Sequence, residues 1–197
     1  WGRTLNAALQ TFRPVPRANT RVVSLLGGIL EAKAMNPVDF SWQLASRLNA
    51  ECMLYLAPLF VDSAETKRAL IDKCGLDRRL GVAQALDLAI ISCGDLGTTG
   101  SSMTMDFLGP EERAALLAAG AICDAGCNFL DAEGRDVDTP LRHRIMNVDL
   151  GTIARAGHVI LAAGGARRAA AIRATVLRTN CRTLITDEAA ATALLQL

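Results

Sequence analysis

Residues 157–165 read GHVILAAGG. Valine, isoleucine and leucine in unbroken succession, bounded by glycines, are the composition of a strand buried inside a sheet. A helix-length, alanine-rich stretch follows at 166–177 (ARRAAAIRATVL), then an apolar run at 183–186 and a second helical stretch at 187–195, for which Thr186 or Asp187 can serve as N-cap. The same unit recurs toward the N-terminus. Residues 21–26 (RVVSLL) predict a strand ending at Gly27 and Gly28, and 37–49 (PVDFSWQLASRLN) a helix with Phe40, Leu44 and Leu48 on one face and Pro37 in its first turn. Residues 51–56 predict a strand, and 64–73 and 76–85 predict helices parted by Gly75. The run 86–93 (LDLAIISC) predicts a strand buried on both faces that stops at Gly94. Beyond it, 110–119 is a helix with Glu111 and Glu112 in its first turn, at the positive end of the dipole. Residues 128–137 (NFLDAEGRDV) predict a hairpin turning at Glu133 and Gly134, 144–148 a strand, and 150–154 a helical turn. Strand, glycine turn, helix and strand in repetition predict an α/β fold: a Rossmann-like, largely parallel sheet flanked by helices, forming one domain over residues 1–197.

Composition narrows what such a domain does. Half of the 197 residues are hydrophobic (51%) and 21% are charged, so the chain can bury a core and is not disordered. No stretch reaches the ~18 apolar residues of a bilayer-spanning helix. Lysine and arginine total 21 against 20 acidic residues, a net charge of +1 with no block of like charge, which argues against DNA binding by this segment alone. The six cysteines lie at 52, 74, 93, 123, 127 and 181, four of them in or beside apolar runs, where buried thiols act as small hydrophobes. The Cys123–Cys127 spacing is not that of a zinc site and only His143 and His158 offer imidazoles, so neither a metal nor a cofactor is expected. The chain opens on Trp1 and Gly2 with no initiator methionine and no signal-peptide layout, which predicts a cytoplasmic protein with a segment upstream.

In sheets of this kind, ligands sit at the C-terminal strand edges, where glycine turns lead into helix N-termini. Gly27 and Gly28, Gly94, and Gly164 and Gly165 mark three such turns; Gly2, Arg3 and Thr4, ahead of the helical pattern Leu5, Ala8 and Leu9, mark a fourth. Glycine permits close backbone approach, and free N–H groups at a helix start attract anions. Each turn alone reads first as a tight strand–helix connection; the four together make a phosphate or carboxylate site an equal reading. Residues 95–105 (DLGTTGSSMTM) form a hydroxyl-rich loop suited to capping a polar ligand or simply to solvent. Asp124, between apolar neighbours and Gly126, can accept hydrogen bonds from sugar hydroxyls or cap a turn. Arg167 and Arg168 open a helix, where a cation calls for an anionic partner. Gly-x-Ser-x-Gly, Walker A and complete Gly-x-Gly-x-x-Gly motifs are absent.

The ordered set formed by residues 1–5 (WGRTL), 22–28 (VVSLLGG), 57–63 (APLFVDS), 88–94 (LAIISCG), 119–122 (AGAI), 129–141 (FLDAEGRDVDTPL), 159–165 (VILAAGG) and 184–189 (LITDEA) resembles the effector-binding domain of the SorC family of bacterial sugar-responsive transcriptional regulators. The resemblance covers essentially the whole chain. It implies the fold shared with ribose-5-phosphate isomerase, glucosamine-6-phosphate deaminase and CoA-transferases. It also implies a phosphorylated sugar or related metabolite as effector, a helix-turn-helix domain upstream that alone contacts operator DNA, no membrane partner, and a homo-oligomer, dimer or tetramer. The ligand-binding positions that it implies are Gly2, Arg3 and Thr4 as phosphate loop, Gly27 and Gly28, Asn36 and Pro37, Gly94, Asp124 for the sugar, and Arg168, where the family usually has lysine. Arginine keeps the charge but cannot form a Schiff base. Residues 123–128 (CDAGCN) also depart from the usual family form.

The alternative is a sugar-phosphate isomerase or deaminase on the same scaffold. It needs a carboxylate base, for which Asp95, Asp124 and Glu188 are candidates, usually aided by lysine or histidine. The only lysines, Lys33, Lys67 and Lys73, fall at none of the predicted strand-end turns, so a sensor with no catalytic residues is expected.

Overall fold

The computed structural model describes residues 2–29, 36–97, 102 and 107–197. The chain folds as two compact units: Trp1–Gln84 with His143–Val148, and Ala85–Arg142 with Asp149–Leu197. It passes between them after Gln84, Arg142 and Val148.

In the first unit, helix α1 (Arg3–Thr11) buries Leu5 and Leu9. Strand β1 (Arg21–Gly28) pairs in parallel with β2 (Glu51–Pro58), in register from Arg21 opposite Glu51 to Val23 opposite Met53, with shifts before and after Gly27, which pairs with Tyr55, and Gly28 opposite Pro58. Helix α2 (Pro37–Leu48) joins them; the Asn36 side chain caps its start, Pro37 suits its first turn, and Asn49 ends it in the left-handed region. Helices α3 (Ala64–Lys73) and α4 (Leu76–Ala83) follow, with Ser63 capping α3 and Gly75, at φ +74°, preceding α4. Tyr55, Val61, Leu76 and Met146 form a buried cluster backed by Leu70, Ile71 and Leu80. The returning segment is tied in by backbone bonds from Gly27 N–H to the Met146 carbonyl (2.8 Å) and from Val148 N–H to the Leu25 carbonyl (2.9 Å), and by Lys67 Nζ on the Ile145 carbonyl (2.7 Å).

The second unit holds two sheets. Strands β3 (Leu88–Ile91), β7 (His158–Ala162) and β8 (Thr183–Ile185) are parallel, with β7 in the middle. Strands β4 (Cys93–Asp95), β5 (Cys123–Ala125) and β6 (Asn128–Leu130) form an antiparallel sheet in that order. Helices α5 (Pro110–Ala118), α6 (Leu150–Ile153), α7 (Ala169–Thr179) and α8 (Glu188–Leu194) complete it. Asp149 caps α6 through Thr152 N–H (2.9 Å), and Asp187, one of the two expected caps, takes Ala190 N–H (2.8 Å) at the start of α8. Buried Ala169, Ala171, Ile172, Ala174 and Thr175 give α7 its inner face.

The architecture is the expected α/β arrangement of parallel strands and helices, with four local differences. The run 86–93 is not one strand buried on both faces. It breaks at Ser92 into β3 and β4, which belong to different sheets, and in β3 only Ala89 and Ile91 are buried, while Leu88 and Ile90 are exposed. Gly94 therefore lies inside β4 instead of ending a strand. Likewise Gly27 and Gly28 are the last two residues of β1, not a turn beyond it. The expected hairpin at 128–137 shortens to β6 and a turn closed by Asp131 N–H on the Arg135 carbonyl (3.0 Å), and 144–148 contributes bridges at Ile145 and Asn147, not a full strand.

Among the described residues no helix is long and apolar enough to cross a membrane. All six cysteines are free; Cys93, Cys123 and Cys127 are buried and Cys74 is exposed. Burial pushes the Cys93 thiol up to about 12, and burial likewise raises Cys123. Iodoacetamide at pH 8 should therefore label Cys74 in the native protein while Cys93 and Cys123 stay unmodified until denaturant is added. Peptide mass spectrometry reads this directly, and early labelling of Cys93 contradicts the burial described.

Candidate functional site

In the first unit, Gly2 caps α1 with φ +118°, a conformation that glycine alone adopts cheaply, and its carbonyl accepts Asn6 N–H (3.0 Å). Arg3 is exposed and Thr4 half-buried at the opening of α1. The helix is pinned by Leu5 and Leu9 and by the Arg47 guanidinium, which donates to the Leu9 carbonyl. Gly27 is required by space: a Cβ there would sit 2.7 Å from the Ala57 carbonyl oxygen and 2.9 Å from that of Pro58. Its N–H is engaged by Met146, and the Gly28 carbonyl accepts Leu59 N–H (2.6 Å). The Asn36 amide is also occupied by the protein. Its Oδ1 accepts from Ile29 and Val38 N–H (3.3 Å each) and its Nδ2 donates to the Ile29 carbonyl (2.7 Å), so it ties Ile29, just past β1, to the start of α2.

The second unit brings Gly94, Asp124 and Arg168 together. Gly94 and Asp124 face each other across the β4–β5 ladder. Asp124 is buried, at 6% exposure, and its carboxylate accepts the Cys127 N–H (3.3 Å) across a turn in which Gly126 and Cys127 both have positive φ. Gly94 leaves room for another stretch of chain, because a Cβ there would lie 2.6 Å from Ser102 Cα and 2.9 Å from Ser102 N. The Ser102 N–H bonds the Asp95 carbonyl (3.1 Å). Arg168 stands at the start of α7 after a 3₁₀ turn (Ala166–Arg168), and its Nε lies 3.9 Å from Asp95 Oδ1, with both side chains largely buried. Asp124, Asp95 and Arg168 are all near enough to Cys93 for their charges to bear on its thiol. The anion expected beside Arg168 is thus supplied from within, by Asp95. The Gly164–Gly165 turn is occupied in the same way. Gly165 N–H donates to Asp187 Oδ2 (2.6 Å), and this carboxylate also leaves no room for a Cβ at Gly164.

Of the hydroxyl-rich loop, Thr98, Thr99, Ser101 and Thr104 lie outside the described residues, while Ser102 is placed and buried. Asp95 and Ser102 lie beside Arg168 and Gly94 although the family resemblance does not mark them; the hydroxyl-rich run opening at Asp95 pointed to both, and Asp95 was also a candidate base for the enzyme alternative. Among the described residues no group of three His, Cys, Asp or Glu side chains is placed to hold a metal ion.

At Gly27, Gly94 and Gly164 the glycine makes room for the chain itself, and the buried Asp124 carboxylate and the Arg168–Asp95 pair are the polar groups left to meet a small hydroxyl-bearing molecule. Comparison with known proteins places the chain more closely. Residues 1–196 match the family described as "Putative sugar-binding domain". The erythritol catabolism regulatory protein EryD of Brucella abortus is 27% identical over 194 residues, 98% of this chain and 61% of that protein. The transcriptional regulator LsrR of Klebsiella pneumoniae is 30% identical over 156 residues, 77% of this chain and 48% of that one. Among solved structures, a transcriptional regulator from Streptococcus pneumoniae superposes with a TM-score of 0.90 at 20% identity, covering 100% of this chain and 75% of that one. The full-length sorbitol operon regulator SorC of Klebsiella pneumoniae superposes at 0.86 and 21%, covering 100% and 64%. The chain belongs to the sugar-binding domain family of SorC-type transcriptional regulators. It spans about 60% or less of the length of the curated relatives named here.

Proposed function

We propose that this chain is the effector-sensing part of a bacterial transcriptional regulator, and that a phosphorylated sugar or related metabolite is its effector. The observation that carries the reading is the buried Asp124 carboxylate opposite Gly94 on the β4–β5 ladder, an acceptor-only group in the interior, with the Arg168–Asp95 pair next along β4. In the first unit, taken by itself, Gly2, Arg3 and Thr4 at the start of α1 are proposed as the anion-binding turn that the family resemblance implies. In this account the operator is contacted by a helix-turn-helix domain upstream of Trp1. The protein works in the cytoplasm as a dimer or tetramer, and the effector acts by binding one quaternary state better than another. The described lysines, Lys67 and Lys73, both belong to the first unit, where Lys67 donates to the Ile145 carbonyl; Lys33 lies outside the described residues.

A thermal-shift screen tests the reading. The probes are ribose, glucose and erythritol, each with its terminal phosphate ester. A molecule that binds only the folded state raises the melting temperature by mass action, by about 2.7 kcal/mol of stabilisation at a hundred times Kd. At least one probe should do so without being converted. Conversion of a sugar phosphate during incubation supports the enzyme instead.

A further inference from the structure

The two faces of the β3–β7–β8 sheet in the second unit differ sharply. One carries Ala89, Ile91, Val159 and Leu161, all buried. The other carries Leu88 (47% exposed), Ile90 (38%) and Ile185 (58%), together with the half-buried Ile160. The register groups these four. Leu88 pairs with His158, Ile90 with Ile160, Ile160 with Thr183 and Ala162 with Ile185, and paired residues of parallel strands project to the same side. The polar atoms on this face, His158 Nε2 and Thr183 Oγ1, are bonded to each other (2.8 Å), which leaves an apolar surface.

Parallel sheets are covered on both faces, and a contiguous exposed apolar patch marks a contact site. The connections within this unit do not supply the cover. The steps from β3 to β7 and from β7 to β8 cross the sheet in the same direction, so right-handed crossovers lay both connections, α7 included, on one face. That face is the buried one. A domain of this fold has further chain to offer. The "Putative Sugar-Binding Domain" of a transcriptional repressor from Vibrio fischeri superposes with a TM-score of 0.85 at 24% identity, and the match takes in 99% of this chain but only 77% of that one. Nearly a quarter of that domain thus has no counterpart in residues 1–197.

We propose that an amphipathic helix, lying upstream of Trp1 in the full-length protein, packs on the face formed by Leu88, Ile90, Ile160 and Ile185 and completes the layer there. The strands beneath run three to five residues, about 10–17 Å, which a helix of about three turns matches. Its apolar residues fall at i, i+3, i+4 and i+7. The inference goes beyond the sensor reading and holds whatever effector is bound, so its failure leaves that reading standing.

Cysteine labelling of the full-length protein and of residues 1–197 tests it. Ile90→Cys and Ile185→Cys each place a thiol on the face, and the exposed Cys74 is the reference. With a maleimide, read by peptide mass spectrometry, both new thiols should react about as fast as Cys74 in 1–197 and at least about tenfold more slowly in the full-length protein. Fast reaction in the full-length protein shows an open face and overturns the proposal. Slow reaction in 1–197 shows that a second copy covers the face, and overturns it too. Ile90→Glu keeps the test decisive if a cysteine variant misfolds. A charge there should lower the melting temperature of the full-length protein by about 3 °C or more and leave that of 1–197 within about 1 °C of wild type. Equal shifts in the two overturn the proposal.

Discussion

Gly94→Ala should destabilise the protein by about 2–4 kcal/mol and abolish measurable effector binding. The added methyl carbon would lie 2.6 Å from Ser102 Cα, 2.9 Å from its nitrogen and 3.1 Å from its Cβ, and the first two are backbone atoms that no rotamer change can move. Overpacking of this kind costs about 1–3 kcal/mol. Displacing Ser102 also strains its N–H bond to the Asp95 carbonyl, for about a further 1 kcal/mol. Against a total stability of about 5–15 kcal/mol the fold should survive. The binding face should not, because Ser102 and Asp124 flank Gly94 on it. Urea denaturation and calorimetry on one preparation separate the effects. A variant of wild-type stability that still binds effector would show that Ser102 does not lie where it is placed.

Gly134→Ala should cost about 2–5 kcal/mol with no direct effect on binding. Gly134 has φ +77°, and a left-handed conformation costs an L-residue about 1–2 kcal/mol. Its Cβ would also stand 2.7 Å from the Ala174 carbonyl oxygen in α7, with a contact to Leu177 at 3.3 Å, which adds about 1–3 kcal/mol of overpacking. The turn cannot simply move away. Asp131 bonds Glu133 N–H (3.0 Å) and Arg135 N–H (2.8 Å) across it, and the next residue, Asp136, holds Arg178 of α7 through two hydrogen bonds of 3.1 and 2.8 Å. The midpoint of urea unfolding should drop sharply with the slope unchanged; a midpoint within error of wild type would contradict the close packing of this turn on α7.

These two glycines also show what sequence does and does not carry. Glycine at a strand end was read as room for a ligand, and in the structure the chain itself takes that room: at Gly27 the end of β2, at Gly94 Ser102. Gly134 was read only as a hairpin turn, and its close neighbour is a helix that begins over 30 residues later. Caps were legible because their chemistry is local: Asp187 and Pro37 act within one turn of their own helices. The break at Ser92 was not, because an apolar run says that a segment is buried and nothing of which sheet each half joins. The turn at Gly126 and Cys127 was hidden because a cysteine at positive φ gives no turn signal. Asp124, Gly94 and Arg168 were expected as a set only through the family resemblance; the structure pairs Gly94 with Asp124 and sets Arg168 beside Asp95, the next residue of β4. The partnership of Arg168 with Asp95 joins strand β4 to a helix start over 70 residues away, and no spacing rule reaches that far. The occupation of the Gly165 N–H by Asp187 was hidden for the same reason.

The central claim is that a sugar is held by the buried carboxylate of Asp124, and one titration tests it most directly. Calorimetry of wild type and Asp124→Asn, with whichever probe gives the largest thermal shift, compares two side chains of nearly the same shape. The carboxylate accepts only; the amide turns half of its capacity into donors. The account predicts a loss of about 1.5–3 kcal/mol in binding, roughly ten- to a hundredfold in Kd, with the Asp124→Asn protein folded. An Asp124→Asn variant that binds the probe as tightly as wild type would contradict it.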